Sequence, residues 1–355
     1  MLHPDFPFSS QTELPDITFA AVRQMMLVQA KAANLTVLKD DETNLTMRTA
    51  HGLIGLRLEK QTSVIGLVAA QDERWLFVMK AAVADQMRSI MPIVAQAISW
   101  SNSPAEGLLP LNFIFAEVCN VTQLGRDFIR IKLRSENLSR YGEDAIHFRL
   151  VQPPKEGEVH WPSVAASGKV IWPEGASALH NPVYTTRSVD QLTNTLETDV
   201  FIHDGGRTTA WAQDVLSGGR NRRVVGLIGP IGGGLMTADR VLIACDETGF
   251  PAAARILEAL PKGAVGDLFL EAEHGAECAY PIVAPQGITM TWLARADGQY
   301  LGDAVLTALP RHRDSKIWFA GEREDARRLR DAAKGLGSAA SDLRVSGFWR
   351  KKLLD

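Results

Sequence analysis

The first hundred residues switch between a helical and a strand-like spacing of apolar positions. Apolar residues recur every three or four positions over 17–33, which predicts an amphipathic helix. Short apolar runs then follow at 35–38, 45–48, 53–58, 64–69 and 75–79, and they predict an antiparallel meander. A second helix is predicted over 81–97, with a break at Pro92, because proline lacks the amide hydrogen that a helix needs. We therefore expect a small accessory α+β domain over residues 1–104, ending in a linker at 101–104.

The middle of the chain shows the period-two alternation of strands. The clearest example is 128–133, and further strands are predicted at 147–151, 169–172, 183–189, 200–203 and 223–228. Pro, Gly or Asp residues bound these runs, which favours a small antiparallel β-barrel over residues 108–234. A short helix is predicted over 210–216. The glycine-rich run 229–234 lies between two predicted strands, so a flexible turn between domains is favoured over a phosphate-binding loop.

The last third of the chain alternates strands with helices. Strands are predicted at 241–244, 268–271 and 316–319, and helices at 252–260, 303–308 and 323–334. Such alternation indicates a parallel sheet with crossover helices over residues 235–355. The predicted fold class is therefore multidomain: a small N-terminal α+β domain, an antiparallel β-barrel, and an α/β domain with a parallel sheet.

Composition and charge exclude several classes of protein. Of 355 residues, 46% are hydrophobic and 22% are charged, and the net charge is −3, so neither disorder nor a nucleic acid partner is expected. Cys119, Cys245 and Cys278 form no metal-like spacing, and we predict no metal site. The N-terminus lacks the pattern of a secretory signal, and no apolar stretch approaches the roughly 20 residues that cross a bilayer. A cytoplasmic protein without membrane insertion is expected.

One polar cluster stands where α/β sheets bind ligands. Asp246, Glu247 and Thr248 follow the strand predicted at 241–244, and Pro251 then begins a helix. Asp246 or Thr248 could equally cap that helix, and the local sequence leaves both interpretations open. The motifs of phosphate-loop enzymes, zinc proteases, common serine hydrolases and Rossmann dehydrogenases do not occur.

An ordered set of short motifs follows residue 113. It comprises HFRL at 147–150 before Pro153-Pro154, NPVYTTR at 181–187, HDGG at 203–206 before Trp211-Ala212, Gly229-Pro230, DET at 246–248 before Pro251-Ala252, WFAGE at 318–322 and GFWR at 347–350. Together these motifs resemble those of siderophore-interacting proteins, the flavin-dependent ferric-siderophore reductases related to ferredoxin reductases. Residues 1–100 resemble a domain of unknown function that is fused ahead of such reductases.

The resemblance implies that the barrel binds FAD and that the parallel sheet binds NAD(P)H. A flavin needs an aromatic face, a donor to its reactive nitrogen and a cation for its pyrophosphate, which Tyr184, Thr185 and Arg187 could supply. Catalytic roles are implied for Thr185 and Asp246. Pro182 stands where the family's first motif arginine is expected. The full set of implied cofactor contacts is Tyr184, Thr185, Thr186, Arg187, His203, Gly205, Gly206, Thr208, Thr209, Ala210, Trp211, Asp246, Glu247 and Thr248.

The implied function is NAD(P)H-dependent reduction of ferric siderophores, which releases Fe(II). Two alternatives remain: a flavin-free siderophore-binding or carrier module, and a flavoprotein that donates electrons to a protein partner. Many ferric siderophores are anions, so we expect a local basic patch. Residues 321–355 carry nine Lys or Arg against six Asp or Glu, and we predict that Lys351, Lys352 and Arg222 contact the siderophore. A solvated basic tail is the alternative for the two lysines.

Overall fold

The chain forms two compact units. The computed structural model describes residues 4–32, 35–60, 62–102, 105–142, 145–165, 168–219 and 223–351. One unit comprises residues 1–113 and 157–179, and the other comprises 114–156 and 180–355. Within the described ranges, no helix is long and apolar enough to cross a membrane.

The first unit is built on a five-stranded antiparallel sheet with the strand order β1-β5-β4-β3-β2. Its elements are β1 (Phe8–Leu14), α1 (Phe19–Ala32), β2 (Thr36–Asp40), β3 (Asn44–Arg48), β4 (Gly52–Glu59), β5 (Ser63–Ala70), α2 (Glu73–Ile90) and α3 (Pro92–Ala97). Val22 of α1 packs in one core with Leu45 and Val68 of the sheet. The predicted meander is confirmed for β2 to β5, and so is the helix break at Pro92.

Three expectations for this unit are wrong. Residues 75–79 lie in α2 and not in a strand, because Asp72 caps the helix by accepting a hydrogen bond from the Trp75 amide at 2.6 Å. Strand β1 is missing from the prediction. Residues 101–102 are no free linker, since the Ser101 amide donates to the Gln11 carbonyl at 2.8 Å and buried Lys80 donates to the Asn102 carbonyl at 3.2 Å. Residues 103–104 lie outside the described residues.

The second unit begins with the predicted antiparallel barrel. The elements between residues 113 and 234 are β6 (Phe113–Leu124), β7 (Phe128–Arg134), β8 (Ala145–Val151), β9 (Ser163–Val164), β10 (Val170–Ile171), β11 (Val183–Thr185), β12 (Ser188–Asp190), β13 (Thr195–Phe201), α4 (Arg207–Leu216) and β14 (Val224–Gly234). Strands β9 and β10 pair with each other and belong to the first unit. The others have the order β11-β8-β14-β6-β7-β13-β12. Only Thr186 and Arg187 separate the two edge strands β11 and β12, so the sheet curls into a barrel.

The glycine-rich run 229–234 is not a turn between domains. It continues β14, and Ile231 pairs with His147 while Gly234 pairs with Ala145 of β8. The small residues let this part of β14 approach β8 closely, because a side chain at Gly232 would come within 2.8 Å of the His147 ring.

A five-stranded parallel sheet follows, as predicted. Its elements are β15 (Arg240–Asp246), α5 (Phe250–Ala259), β16 (Val265–Ala272), β17 (Ile288–Ala294), α6 (Leu301–Ala308), β18 (Lys316–Glu322), α7 (Arg323–Gly335) and β19 (Leu343–Trp349). The order is β17-β16-β15-β18-β19, so β15 is central. The sequence did not predict β17 and β19.

The barrel and the parallel sheet share one hydrophobic core. Phe128 and Ile146 of the barrel pack in the same cluster as Ile243 and Phe250. The Phe128 ring lies 4.6 Å from the Tyr280 ring and 5.9 Å from the Phe250 ring, centroid to centroid. These contacts hold the ends of the barrel strands against the carboxyl edge of the parallel sheet.

Candidate functional site

A cleft of about 480 Å³ lies where the barrel meets the carboxyl edge of the parallel sheet. The barrel and the segments around it contribute His147, Pro182, Val183, Tyr184, Thr185, Asp199, Phe201 and His203. The parallel-sheet domain contributes Glu247, Thr248, Pro251, Ser346, Gly347 and Phe348. Five residues predicted from sequence are thus brought together although they lie in three separate segments: Tyr184, Thr185, His203, Glu247 and Thr248.

Thr185 is held in the cleft wall by a histidine on the neighbouring strand. Thr185 pairs with His147 in the β11–β8 register, and its Oγ1 lies 3.2 Å from His147 Nδ1. The Thr185 carbonyl accepts a hydrogen bond from Thr198 Oγ1 at 2.8 Å. Burial and the nearby Arg255 charge lower the pKa of His147 to about 4, against a weaker opposing hydrogen bond to the Tyr184 backbone. His147 is therefore neutral at pH 7.

We expect acid to destabilise the protein partly through His147. Its folded pKa lies below the value of 6.5 for a free imidazole, so protonation favours the unfolded chain. The free energy of unfolding should therefore fall as the pH drops from about 6.5 towards 4, and His147→Gln should make this fall shallower. NMR titration of the ring should give a midpoint near 4.

The exposed His274 provides the matched control, because His274→Gln removes a histidine that lies outside the cleft. A midpoint above pH 6 for the His147 ring would contradict the burial argument, and so would equal acid sensitivity in the two variants.

Asp246 is a helix cap. Its Oδ1 accepts hydrogen bonds from the Thr248 amide at 2.9 Å and the Thr248 hydroxyl at 2.5 Å, and its Oδ2 accepts one from Trp349 Nε1 at 2.6 Å. Burial raises the pKa of Asp246 to about 6, and the bonds from Thr248 and Trp349 oppose that shift. Asp246 is not among the residues that line the cleft, so its predicted catalytic and cofactor-binding roles remain predictions.

Glu247 lines the cleft, but its carboxylate already accepts hydrogen bonds from residues outside the cleft lining. Arg295 donates to both of its oxygens, and the Glu273 amide donates to Oε1 at 3.1 Å. The carboxylate is therefore held in a fixed position while its charge is partly neutralised.

Thr186 and Arg187 lie outside the cleft lining. Arg187 forms a two-point ion pair with Glu258 of α5, at 2.6 and 3.1 Å, and Arg255 donates to the Thr186 carbonyl at 3.1 Å. To contact a pyrophosphate as predicted, the Arg187 guanidinium would have to release the Glu258 carboxylate and bind the phosphate instead.

A second cavity, of about 280 Å³, lies beside α4. Ala210 and Trp211 line it together with Gln152, Lys155, His180 and Arg207. The buried Thr208 donates to Gln152 Oε1 at 2.9 Å, and Thr209 donates to the Phe201 carbonyl at 3.4 Å. Gly206 is the N-cap of α4, and Gly205 has a φ of 74°, a backbone conformation that favours glycine. The predicted segment 203–211 therefore reaches from one cavity to the other.

Of the three residues predicted to contact the siderophore, the structure describes one, Lys351. The Lys351 amide donates to Glu322 Oε1 at 3.2 Å, and the residue is exposed. Lys352 and Arg222 lie outside the described residues.

Two family models match residues of the second unit. Residues 117–234 match the family model of the siderophore-interacting FAD-binding domain, and residues 238–352 match that of the siderophore-interacting protein. Ferric vibriobactin reductase ViuB of Vibrio cholerae is 34% identical over 191 residues, which cover 49% of this chain and 67% of the relative. The chain belongs to the siderophore-interacting protein family. The family predicted from the ordered motifs is confirmed.

Two further proteins are similar to this chain. The NADPH-dependent ferric-chelate reductase of Escherichia coli strain K12 is 29% identical over 251 residues, which cover 68% of this chain and 94% of the relative. A crystal structure of a siderophore utilization protein from T. fusca is 29% identical, with a TM-score of 0.57, over 70% of this chain and 97% of that one. The barrel followed by a parallel sheet is thus a fold shared within the family.

The residues of the two cavities fit FAD, the group that the matched FAD-binding domain implies. In the described part of the chain, the buried polar atoms without a hydrogen-bond partner include Nε2 of Gln152, which lines the second cavity. They also include Thr186 Oγ1 and Arg187 Nε, in the two residues that follow the cleft residue Thr185. A buried polar atom without a partner costs free energy, and a dinucleotide carries many oxygen acceptors. Tyr184 offers an aromatic face in the first cavity and Trp211 offers one in the second.

Nine of the fourteen residues that line the cleft were not predicted as site residues, among them His147, Asp199 and Phe348. His147 could have been found from the register, because β8 and β11 are neighbours and His147 lies opposite Thr185. Asp199 lies on a strand whose other residues are mostly buried, and a buried carboxylate needs an ion-pair or hydrogen-bond partner. Phe348 lies near the end of β19, a strand that was not predicted, so the GFWR motif that contains it could not be placed at the cleft.

Proposed function

We propose that the protein is an NAD(P)H-dependent flavoenzyme that reduces ferric siderophores and releases iron as Fe(II). The observation that carries the proposal is the cleft that joins Tyr184 and Thr185 of the barrel to Thr248 at the end of the central parallel strand. The family supports it, as do the names of the two relatives, a ferric-chelate reductase and a ferric vibriobactin reductase. One NAD(P)H supplies two electrons, so two Fe(III) become two Fe(II) and one proton is released.

The chain's own residues bind and orient the reactants. Bound FAD supplies the conversion of a hydride donor into single electrons. Tyr184 offers a ring face to it, and Thr185, fixed by neutral His147, presents a hydroxyl in the cleft wall. Thr248 and the fixed carboxylate of Glu247 lie at the sheet edge where α/β domains bind nucleotides. We assign Thr185 the contact with the reactive flavin nitrogen, and Thr248 a contact with NAD(P)H.

The iron needs no ligand from the protein. Among the described residues, no group of three or more His, Cys, Asp or Glu side chains is arranged to hold a metal ion. The siderophore brings its own hard oxygen ligands, which hold Fe(II) far less tightly than Fe(III), so reduction itself releases the iron. The protein has only to bring the chelate close to the flavin.

An absorption experiment tests the proposal. Purified protein is loaded with FAD, reduced under anaerobic conditions with NADH or NADPH, and then mixed with a ferric siderophore and a dye that traps Fe(II). We expect the flavin band to bleach with the nucleotide and to return with the chelate, as Fe(II) appears. A colourless protein that takes up no FAD would contradict the proposal. Bleaching without chelate reduction would favour a protein acceptor instead.

We further propose that Lys351 attracts anionic chelates. It lies in a segment with three more basic than acidic residues, and it is exposed. Lys351→Glu should raise KM for an anionic ferric chelate, because the local charge repels it, and added salt should shrink the effect. Lys262→Glu, at an exposed position after α5 and outside that segment, is the matched control. Equal effects on anionic and cationic chelates would contradict the assignment.

The division into domains at residues 104 and 234 and the location in the cytoplasm also stand as proposals. Cys119, Cys245 and Cys278 are free thiols, which supports a reducing compartment.

A further inference from the structure

The parallel sheet has the strand order of a dinucleotide-binding fold. Numbered by their place in the sheet domain, its strands run 3-2-1-4-5, with β15 first along the chain and central in space. In folds of this order the dinucleotide crosses the carboxyl edge at the central strand, and its adenosine ribose lies at the end of the next strand. Thr248 follows the central strand and lines the cleft. The ribose position therefore corresponds to the end of β16.

Carboxylates occupy that position. Glu271 is buried and accepts hydrogen bonds from the Leu301 amide and from Arg295 Nη1, the latter at 2.7 Å. Glu273 follows directly after β16, and its side chain is 59% exposed. A carboxylate accepts a hydrogen bond from a ribose hydroxyl but repels a phosphate on the same carbon.

The nearby arginine already uses four of its five N–H donors on carboxylates. Arg295 donates from Nη1 to Glu247 and Glu271 at 2.9 and 2.7 Å, from Nη2 to Glu247, and from Nε to Glu273 at 3.3 Å. One guanidinium thus faces three carboxylates, and the cluster keeps a charge of −2. The ends of β16 and β17 and the segments that follow them, residues 271–280 and 294–299, are all described and contain four acidic residues, with Arg295 as the one Lys or Arg.

We propose, building on the proposed function, that this site selects NADH over NADPH and that Glu273 sets the preference. The two nucleotides differ by the phosphate on the 2′ position of the adenosine ribose. The 2′-hydroxyl of NADH can donate to Glu273, whereas the 2′-phosphate of NADPH meets the acidic cluster. The preference would distinguish this chain from its Escherichia coli relative, whose name specifies NADPH.

Calorimetric titration of the FAD-loaded protein with NAD⁺ and NADP⁺ tests the preference without turnover. We expect NAD⁺ to bind at least about tenfold more tightly, since like charges in a partly buried site are strongly unfavourable. Glu273→Arg should raise the affinity for NADP⁺ by roughly ten- to a hundredfold, because it replaces the repelling charge with a phosphate ligand. Glu273→Gln should give an intermediate result.

Asp331→Arg is the matched control. It makes the same change of charge at an exposed position of α7, so the ratio of the two affinities should stay at the wild-type value. Equal affinities for both nucleotides in the wild type would overturn the proposal, and so would an unchanged ratio in Glu273→Arg. Absence of binding for both nucleotides would overturn it as well. In that case the protein would be reduced with dithionite instead of a nucleotide. Reduction of a ferric chelate by this protein would show that the proposed reductase function still holds.

Discussion

Asp199→Ala is expected to lower the free energy of unfolding by about 3 kcal/mol. The Asp199 side chain is fully buried, and it accepts two hydrogen bonds from Arg130, at 2.7 and 2.8 Å, and one from the Tyr280 hydroxyl at 2.7 Å. Its removal leaves a partly buried guanidinium and a buried hydroxyl without their acceptor. This loss is at the lower end of the range for a broken buried ion pair, because Arg130 still has the Glu197 carboxylate as a partner at 3.5 Å.

Urea denaturation followed by tryptophan fluorescence measures this loss. Asp190→Ala is the control, since Asp190 is exposed and its carboxylate bonds only within its own turn among the contacts described. Both variants remove the same carboxylate group, which is buried in Asp199 and exposed in Asp190. A loss below about 1 kcal/mol for Asp199→Ala would contradict the view that its carboxylate stabilises the junction of the barrel and the parallel sheet.

Thr185→Val is expected to lower kcat for ferric chelate reduction by about 100-fold, with FAD still bound. Valine has nearly the shape of threonine but no hydroxyl, so the change removes the donor that we assign to the reactive flavin nitrogen. The backbone contact of residue 185 with Thr198 remains, because it uses the carbonyl oxygen. Flavin content by absorbance and kcat by Fe(II) trapping separate loss of cofactor from loss of rate.

Thr307→Val provides the comparison, because Thr307 is exposed on α6 and bonds back to the Asp303 carbonyl at 2.8 Å. Its kcat should equal that of the wild type. A Thr185→Val enzyme with the same kcat would show that the Thr185 hydroxyl has no part in catalysis. A variant that loses FAD would show that the hydroxyl serves binding instead.

Periodicity predicted most of the architecture, and its failures have physical causes. In β1 the inward positions include Ser10 and Thr12, which are buried although polar, so the apolar alternation that marks a strand is hidden. Residues 75–79 form an apolar run too short to distinguish a strand from a buried helix, and the cap at Asp72 decides for the helix. The helices of the parallel-sheet domain were easier to predict, because several turns repeat the same spacing.

The site was predictable where its residues follow each other in the chain. Tyr184 and Thr185 were found from one motif, and Thr248 from its place after a parallel strand. His147, Asp199 and Phe348 join them only through strand register and the packing of the two sheets. Neither the hydrophobic pattern nor the spacing of motifs encodes those contacts. The ion pair of Arg187 with Glu258 likewise joins residues 71 positions apart.

The shared core has a consequence for how the reductase part of the chain can be divided. The two family models meet between residues 234 and 238, which suggests a natural place to cut. Phe128 and Ile146 nevertheless pack with the sheet that follows, and Tyr280 reaches back to Asp199. A fragment that ended at residue 234 would expose these apolar side chains to water and leave the Asp199 cluster incomplete. We therefore expect the two halves to fold as one unit, and a chimera that exchanges one half between relatives to need matching core residues on the other half.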